Sequence, residues 1–236
     1  MLIDTEALKR LDLKAFFFDM DGVLFDSMPN HAKAWCTAFE ALGIPFSSYD
    51  AYMREGMTGA STIYQAFTRH LGRDASEEEC QRIYKVKCDI FESLPVAKPI
   101  PQVLEVLQTV KQAGLEIFIV TGSGQHSLFD RLNTHFPDIF CREKMVTAYD
   151  VKKGKPDPEP YLMALKKGGF EAHQAIVVEN APLGVKSAVA AEIFTIAVNT
   201  GILKDEDLSV HGAGVVYHNM GELLAELPEI IRTAKR

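Results

Sequence analysis

Four short apolar runs, each ending abruptly at polar or glycine residues, constrain the fold of this chain more than any other feature. The runs span residues 14–18, 116–120, 175–178 and 193–198. Runs of this length are typical of strands that are buried on both faces of a sheet. Helical patterns occupy residues 102–113, 158–167 and 181–191. Strands that alternate with helices predict an α/β fold built on a doubly wound parallel sheet.

Residues 29–97 interrupt this alternation, because they contain no convincing strand pattern. Four amphipathic helices are predicted here, at residues 31–42, 48–54, 60–71 and 76–94. Three prolines within residues 95–101 mark the return to the α/β pattern. We therefore expect an α/β core domain of residues 1–28 and 98–236, with residues 29–97 inserted as a helical cap domain that can act as a lid.

Composition restricts the partners that this chain can have. Its 236 residues are 47% apolar, enough for a sizeable core, and its net charge of −7 disfavours nucleic acid and anionic membranes. A bound divalent cation could still attract an anionic substrate. The chain has four scattered cysteines, no signal-peptide pattern and no apolar run long enough to span a bilayer. We therefore expect a cytoplasmic protein. We expect a monomer or small homo-oligomer without nucleic-acid or membrane partners.

Polar residues follow the predicted strands, and in a parallel sheet ligands bind beyond the strands' carboxyl ends. Asp19 and Asp21 follow the first run, and Gly22 allows a sharp turn directly after them. Two carboxylates at this spacing can divide the work of phosphoryl transfer, one attacking phosphorus and the other exchanging protons. Aspartates are also common where a strand simply meets a turn, so the pair alone leaves both interpretations open.

The segment DMDGVLFDS, which begins at Asp19, resembles the first motif of the haloacid dehalogenase superfamily in its phosphotransferase form. Thr121 matches the family's Ser/Thr, Lys155 in GKPDPEPY matches its phosphate-binding lysine, and residues 179–180 match its usually acidic fourth motif. The helical insertion resembles that of the β-phosphoglucomutase-like subfamily. The resemblance covers nearly the whole chain, and it implies a magnesium-dependent enzyme that forms an aspartyl phosphate from a small phosphorylated substrate.

The same resemblance assigns roles to individual residues. Asp19 is the expected nucleophile and Asp21 the expected general acid and base, with Thr121 and Lys155 completing the catalytic set. The expected phosphate- and substrate-binding residues are Gly22, Thr121, Gly122, Ser123, Lys155, Arg54 and His31. Thr121 also fits a helix N-cap, Lys155 an ordinary surface lysine and His31 a structural histidine.

The expected cofactor is Mg²⁺, which prefers hard oxygen ligands and keeps several waters. By resemblance, Asp19 contributes a carboxylate oxygen and Asp21 its backbone carbonyl. The fourth motif usually adds an aspartate, but this chain has Asn180, whose carbonyl oxygen is neutral. Glu179 could ligate directly, ligate through water or orient Lys155. We hypothesise that Glu55, from the cap, supplies the missing negative charge; an exposed glutamate at a helix end is the plain alternative.

The loop between two cap helices, EGMTGAS, bears on which reaction is catalysed. In the β-phosphoglucomutase pattern this loop carries basic residues that hold the second phosphate of a sugar bisphosphate. Here Arg54 is its one cation and Glu55 follows, and the loop resembles that of bacterial family members that hydrolyse inorganic pyrophosphate. We therefore expect a phosphohydrolase acting on pyrophosphate or a small phosphate ester. The alternatives are a mutase interconverting β-glucose 1-phosphate and glucose 6-phosphate, and a non-catalytic binding module that retains the fold.

Overall fold

The computed structural model describes residues 3–124 and 128–235 of the chain. This described part contains a six-stranded sheet, with β1 Ala15–Phe18, β2 Glu116–Val120, β3 Met145–Val146, β4 Ala175–Glu179, β5 Phe194–Val198 and β6 Val215–Tyr217. The strands lie in the order β3-β2-β1-β4-β5-β6, and every neighbouring pair is parallel. The parallel sheet predicted from the apolar runs is confirmed. The edge strands β3 and β6 were not expected, because two and three residues are too short to show a pattern.

Helices cover both faces of the sheet, as a doubly wound fold requires. They are α1 Thr5–Leu8, α6 Val103–Gln112, α7 Leu128–His135, α8 Glu159–Gly168, α9 Pro182–Ala190, α10 Asp205–Ser209 and α11 Met220–Ala234. Phe16 and Phe18 of β1 pack with residues of α6, α7 and α11, whereas Phe17 packs on the opposite face with residues of α8 and α9. The three consecutive phenylalanines are therefore fully buried because successive side chains of a strand enter different cores.

The cap helices lie between β1 and β2 and are α2 Met28–Glu40, α3 Ser48–Met53, α4 Gly59–Leu71 and α5 Glu77–Ser93. All four were expected from the sequence, with ends within a few residues of the predicted ones. Their shared core includes Trp35, whose ring stacks on Phe39 at 5.4 Å between centroids, and Phe39 lies 4.7 Å from Phe46. The division of the chain into separate core and cap domains stays a prediction. None of the helices described has the length and hydrophobicity needed to cross a bilayer.

The cap is docked on the core by contacts on two sides. The two connecting segments pair with each other, because Asp26 N–H donates to the carbonyl of Lys98 at 2.9 Å. On the other side, the Tyr49 hydroxyl of α3 donates to Asp207 Oδ2 of α10 at 2.6 Å. Close by, Gly201 leaves room for the ring of Tyr52, which a Cβ at that position would overlap. These contacts place the loop between α3 and α4 over the carboxyl ends of the central strands.

We expect Phe17→Ala to lower the free energy of unfolding by about 3–5 kcal/mol, because the ring is fully buried between Phe118 and Phe170 and its loss leaves a cavity. Val210→Ala is the control, since Val210 is 74% exposed and its change should stay within about 0.5 kcal/mol. Urea denaturation measures both. Equal losses in the two variants would contradict this description of the core.

Candidate active site

The order of the strands brings the predicted catalytic residues together. Asp19 follows β1, Thr121 follows β2 and Glu179 ends β4, and β1 lies between β2 and β4 in the sheet. All three side chains are buried. The N–H of Asp19 donates to the carbonyl of Val178 at 3.1 Å, which extends the pairing of β1 with β4. This hydrogen bond holds the backbone of Asp19 at the edge of the site. The polar residues after three of the four apolar runs therefore meet at one point.

Lys155 joins two of these strand ends. Its Nζ lies 2.5 Å from Asp19 Oδ1 and 2.6 Å from Glu179 Oε1, and it also donates to the carbonyl of Val120 at 3.0 Å. With 3% of its surface exposed, Lys155 is not a surface lysine. Burial disfavours the charged ammonium, but Asp19 and Glu179 outweigh this and raise the pKa of Lys155. The site thus holds a permanent positive charge against the expected nucleophile.

Glu179 is occupied by the protein on both of its oxygens. Oε1 accepts from Lys155 and, at 2.8 Å, from the hydroxyl of Tyr161, while Oε2 accepts from the backbone N–H groups of Asn180 and Ala181. Gly184 of α9 leaves room for this carboxylate, which a Cβ there would overlap. Of the three roles expected for Glu179, the contacts match the orientation of Lys155. Tyr161 and Gly184 were not expected, because their sequence surroundings show only a helix.

Asp21 is held by a second set of partners. Its Oδ1 accepts from the Ser27 hydroxyl at 2.5 Å and lies 3.5 Å from His31 Nε2. Burial opposes the ionisation of Asp21, but the charge and hydrogen bond of His31 and the hydrogen bond of Ser27 outweigh it and lower its pKa to about 2. Asp21 is therefore a carboxylate in this arrangement, the form that accepts a proton. His31, expected among the substrate-binding residues, lies on the cavity wall beside Asp21, and its role in binding substrate stays a prediction.

The turn after β2 contributes Thr121, Gly122 and Ser123 to the cavity wall. Thr121 Oγ1 accepts from the N–H of Ser123 at 3.1 Å, so it organises the turn and keeps its own hydroxyl proton for another acceptor. Gly22, by contrast, does not line the cavity, and its N–H donates to the carbonyl of Phe25 at 2.7 Å. Its expected role in phosphate binding stays a prediction, and in the structure it makes the turn at φ +83° and leaves room for Asn180.

The cap loop reaches into the site. Asn180 Nδ2 donates to Glu55 Oε2 at 3.2 Å, a contact between residues 125 positions apart in the chain. Next to it, the Gly56 backbone lies against the stem of Lys155 and close to Gly122. Arg54 also lines the cavity, but its guanidinium donates to Asp50 Oδ1 at 2.8 Å, so an acidic cap residue neutralises it. Glu55 is therefore positioned at the core site, and Arg54 is already paired.

Two observations test whether these residues suit Mg²⁺. Glu55 Oε1 and Asn180 Oδ1 are buried without a hydrogen-bond partner, and such oxygens are the ligands that magnesium prefers. Burial raises the pKa of Asp19 to about 8 although Lys155 opposes the rise, and burial together with Asp19 and Asp21 raises the pKa of Glu55. The site thus has an excess of buried carboxylates that a divalent cation would relieve. The residues present fit the cofactor.

In the part of the chain that the structure describes, no three His, Cys, Asp and Glu side chains are grouped as ligands of one ion. A magnesium site does not need such a group, because backbone carbonyls, amide oxygens and waters complete its shell. The ligands expected from the sequence, namely Asp19, the carbonyl of Asp21, Asn180 and Glu55, stay a prediction, and Glu179 is occupied elsewhere.

The cavity beside Asp19 has a volume of about 600 Å³ and two further cationic residues on its wall, Lys87 and Arg131. Lys87 Nζ lies 3.0 Å from His31 Nδ1 and 4.9 Å from the ring centroid of Phe91. The guanidinium of Arg131 lies 3.8 Å from the ring centroid of Phe25. Neither residue was expected, because a cation on an amphipathic helix is normally solvated and no local motif marks these two.

We expect Lys155→Met to lower the free energy of unfolding by about 3–5 kcal/mol, because it leaves the buried carboxylates of Asp19 and Glu179 without their cation. Lys167→Met is the matched control. Lys167 pairs with Asp150 at 2.7 Å where both side chains are over a quarter exposed, and such pairs contribute about 0–1 kcal/mol. Denaturation at neutral pH compares the two. Similar losses would show that the buried network does not support the fold.

Comparison with known proteins agrees with this geometry. The family of haloacid dehalogenase-like hydrolases matches residues 13–192. Hexitol phosphatase A of Escherichia coli is 31% identical, with 84% of this chain and 90% of that protein covered. A phosphorylated carbohydrates phosphatase of Thermotoga maritima is 28% identical, with 93% and 100% covered.

Among solved structures, a protein of Bacteroides vulgatus described as a candidate beta-phosphoglucomutase is 50% identical, with 98% of each chain covered and a TM-score of 0.94. The expected likeness to β-phosphoglucomutases is confirmed, whereas the likeness of the cap loop to pyrophosphatases stays a prediction. With its match over residues 13–192, this chain belongs to the haloacid dehalogenase-like hydrolases and is an enzyme of the phosphatase and phosphotransferase type.

Proposed function

We propose that the protein is a Mg²⁺-dependent phosphohydrolase that cleaves a small phosphorylated metabolite through an aspartyl phosphate on Asp19. The observation that supports this best is the Asp19 carboxylate, buried at the junction of three strand ends and 2.5 Å from Lys155 Nζ, with Asp21 two residues away. A nucleophile, a fixed cation and a proton acceptor thus face one cavity. This set, within a family of phosphatases, sets aside the non-catalytic alternative.

In the proposed reaction, a carboxylate oxygen of Asp19 forms a bond to phosphorus while the bond from phosphorus to the leaving oxygen breaks. Lys155 and the Thr121 hydroxyl balance negative charge on the non-bridging oxygens. The Asp21 carboxylate takes up a proton from the incoming substrate and passes it to the leaving oxygen, and it then accepts one from the water that hydrolyses the aspartyl phosphate. When bound, Mg²⁺ would neutralise phosphate charge, held by Asp19, the carbonyl of Asp21, Asn180 and Glu55.

Hydrolysis is favoured over mutase chemistry by the cap loop. A mutase must hold the second phosphate of a sugar bisphosphate, yet this loop presents the carboxylate of Glu55, and Arg54 is paired with Asp50. The names of the relatives favour phosphorylated sugars as substrates. The position of Glu55 beside the nucleophile favours a compact, highly charged substrate, for which inorganic pyrophosphate is the candidate.

We expect Asp19→Asn to reduce phosphate release at least about 10³-fold, because the covalent step is lost. The measurement is release of inorganic phosphate with Mg²⁺ from pyrophosphate, hexitol phosphates, β-glucose 1-phosphate and p-nitrophenyl phosphate. Asp89→Asn, on the exposed face of α5, is the control and should match the parent. Undiminished turnover by Asp19→Asn would refute the proposal, and bisphosphate-dependent formation of glucose 6-phosphate from β-glucose 1-phosphate would favour the mutase.

Glu55→Gln tests the metal site. We expect the apparent affinity for Mg²⁺ to fall by more than the roughly 10-fold that loss of an outer-shell partner causes, because a charged ligand is removed. The control Glu78→Gln changes an exposed cap residue in the first turn of α5 and should leave the affinity unchanged. Adding Asn180→Asp to Glu55→Gln restores the charge from the core side and should recover most of the affinity. Unaltered magnesium titrations for Glu55→Gln would remove Glu55 from the site.

A further inference from the structure

One loop of the core, which connects β5 with α10, contacts both halves of the proposed metal site. Its Thr200 hydroxyl donates to the carbonyl of Gly22 at 2.5 Å, and Gly22 makes the turn that leaves room for Asn180. The next residue, Gly201, lies so close to the ring of Tyr52 in the cap that a Cβ at this position would be 2.3 Å from a ring carbon. Consecutive residues of the β5–α10 loop thus contact the core turn and the cap.

The cap helix that meets this loop, α3, is the one that leads to Glu55. The backbone N–H of Glu55 donates to the carbonyl of Tyr52 at 3.3 Å, so the position of Tyr52 determines where the Glu55 backbone lies. Tyr49 stands three residues before Tyr52, on the same face of α3. Its hydroxyl donates to Asp207 Oδ2 of α10 at 2.6 Å. One face of α3 is therefore held on the core at two points.

The β5–α10 loop has the hydrogen bonds of a fixed support. The Asn199 side chain donates to the carbonyl of Leu203 and to Asp205 Oδ1, each at 2.8 Å. The backbone N–H of Asn199 donates to the carbonyl of Tyr217 in β6 at 2.7 Å. Asp207 is held as well, because its Oδ2 accepts from a backbone N–H at the start of α10 at 2.9 Å. A loop closed on itself and on the neighbouring strand keeps its shape, so it can define where α3 rests.

The helix α3 needs such a support because it is short. Its six residues are too few for a helix to be stable on its own, so its position depends on what it packs against. The contact that it delivers is one hydrogen bond of 3.2 Å between Asn180 Nδ2 and Glu55 Oε2, which a shift of about 1 Å would break. The buried ring of Tyr52 and the hydrogen bond of Tyr49 to the carboxylate of Asp207 are the stronger contacts. The orientation of Glu55 therefore follows from them.

We infer that Thr200, Gly201 and Asp207 form a seat for α3, and that this seat positions Glu55 as a ligand for Mg²⁺. The inference rests on the proposed function, in which Glu55 belongs to the metal site. None of the three seat residues, and neither of the two α3 tyrosines, is among the described residues that line the cavity. They are positioning residues, since they act through Glu55 and do not touch the substrate. The affinity for Mg²⁺ is accordingly set in part by contacts outside the cavity.

Gly201→Ala tests the seat without a change in the cavity. Gly201 does not have a positive φ, so alanine fits its backbone, and the added Cβ meets the Tyr52 ring only while α3 is seated. We expect the Mg²⁺ dissociation constant, measured by calorimetry, to rise at least about 5-fold through overpacking, and the amides of residues 52–57 to exchange hydrogen faster. Activity at saturating Mg²⁺ should stay within about 2-fold of the parent, because excess metal restores the seated state. Tyr49→Phe, which loses one hydrogen bond, should raise the dissociation constant about 2- to 10-fold.

Tyr64→Phe is the matched control. Tyr64 is 39% exposed against 40% for Tyr49, but its hydroxyl hydrogen-bonds to Cys80 inside the cap, so Mg²⁺ binding and hydrogen exchange should not change. Adding Tyr52→Leu to Gly201→Ala should weaken binding by less than the product of the two single effects, because both changes remove the same contact.

An unchanged dissociation constant or unchanged exchange in Gly201→Ala would overturn the inference. An activity loss that excess Mg²⁺ does not recover would also overturn it, because the seat would then only support the fold. If Gly201→Ala does not fold, Tyr49→Phe decides alone. Metal binding and hydrogen exchange need no turnover, so a parent that hydrolyses no phosphate compound would refute the proposed function while these two measurements still decide whether the seat positions Glu55.

Discussion

The ammonium group of Lys155, buried between Asp19 and Glu179, is the interaction on which the arrangement of the site depends. It joins the ends of β1 and β4 and also binds the carbonyl of Val120 at the end of β2. Three neighbouring strands are thereby connected through one side chain. Buried charges persist only when they are paired and hydrogen-bonded, so Tyr161 and the N–H groups at the start of α9 complete the shell of Glu179.

Around Asp19 the buried carboxylates outnumber the buried cations even when Lys155 is counted. This excess of negative charge is shared between the cap and the core. Asp19 and Glu55 come from different parts of the chain, and burial raises the pKa of both. The neutral Asn180 faces Glu55, so a negative charge from the cap loop lies beside this position of the core. A magnesium site of this kind would be complete only with the cap closed, which couples metal binding to the exclusion of water.

Much of this molecule was readable from local sequence. The apolar runs predicted β1, β2, β4 and β5, and the amphipathic periods predicted the cap helices, because buried strands and helix faces leave short-range patterns. Asp19 and Asp21 stand in one motif, so their place at a strand end followed directly. Lys155 is 136 residues from Asp19, and only its motif made it a candidate.

Tertiary structure alone decided the remaining features. Edge strands of two and three residues are defined by the neighbours that they pair with, so their own sequence carries no period. Tyr161, Lys87 and Arg131 sit on helices whose sequences look ordinary, and their places at the site arise from contacts across the fold. Glu55 meets Asn180 because the cap folds back over the sheet, and Gly22 leaves room for Asn180 in the turn that its N–H closes. Sequence determines which chemical groups exist, while burial and long-range packing decide which of them share one cavity and whose charge is left unbalanced.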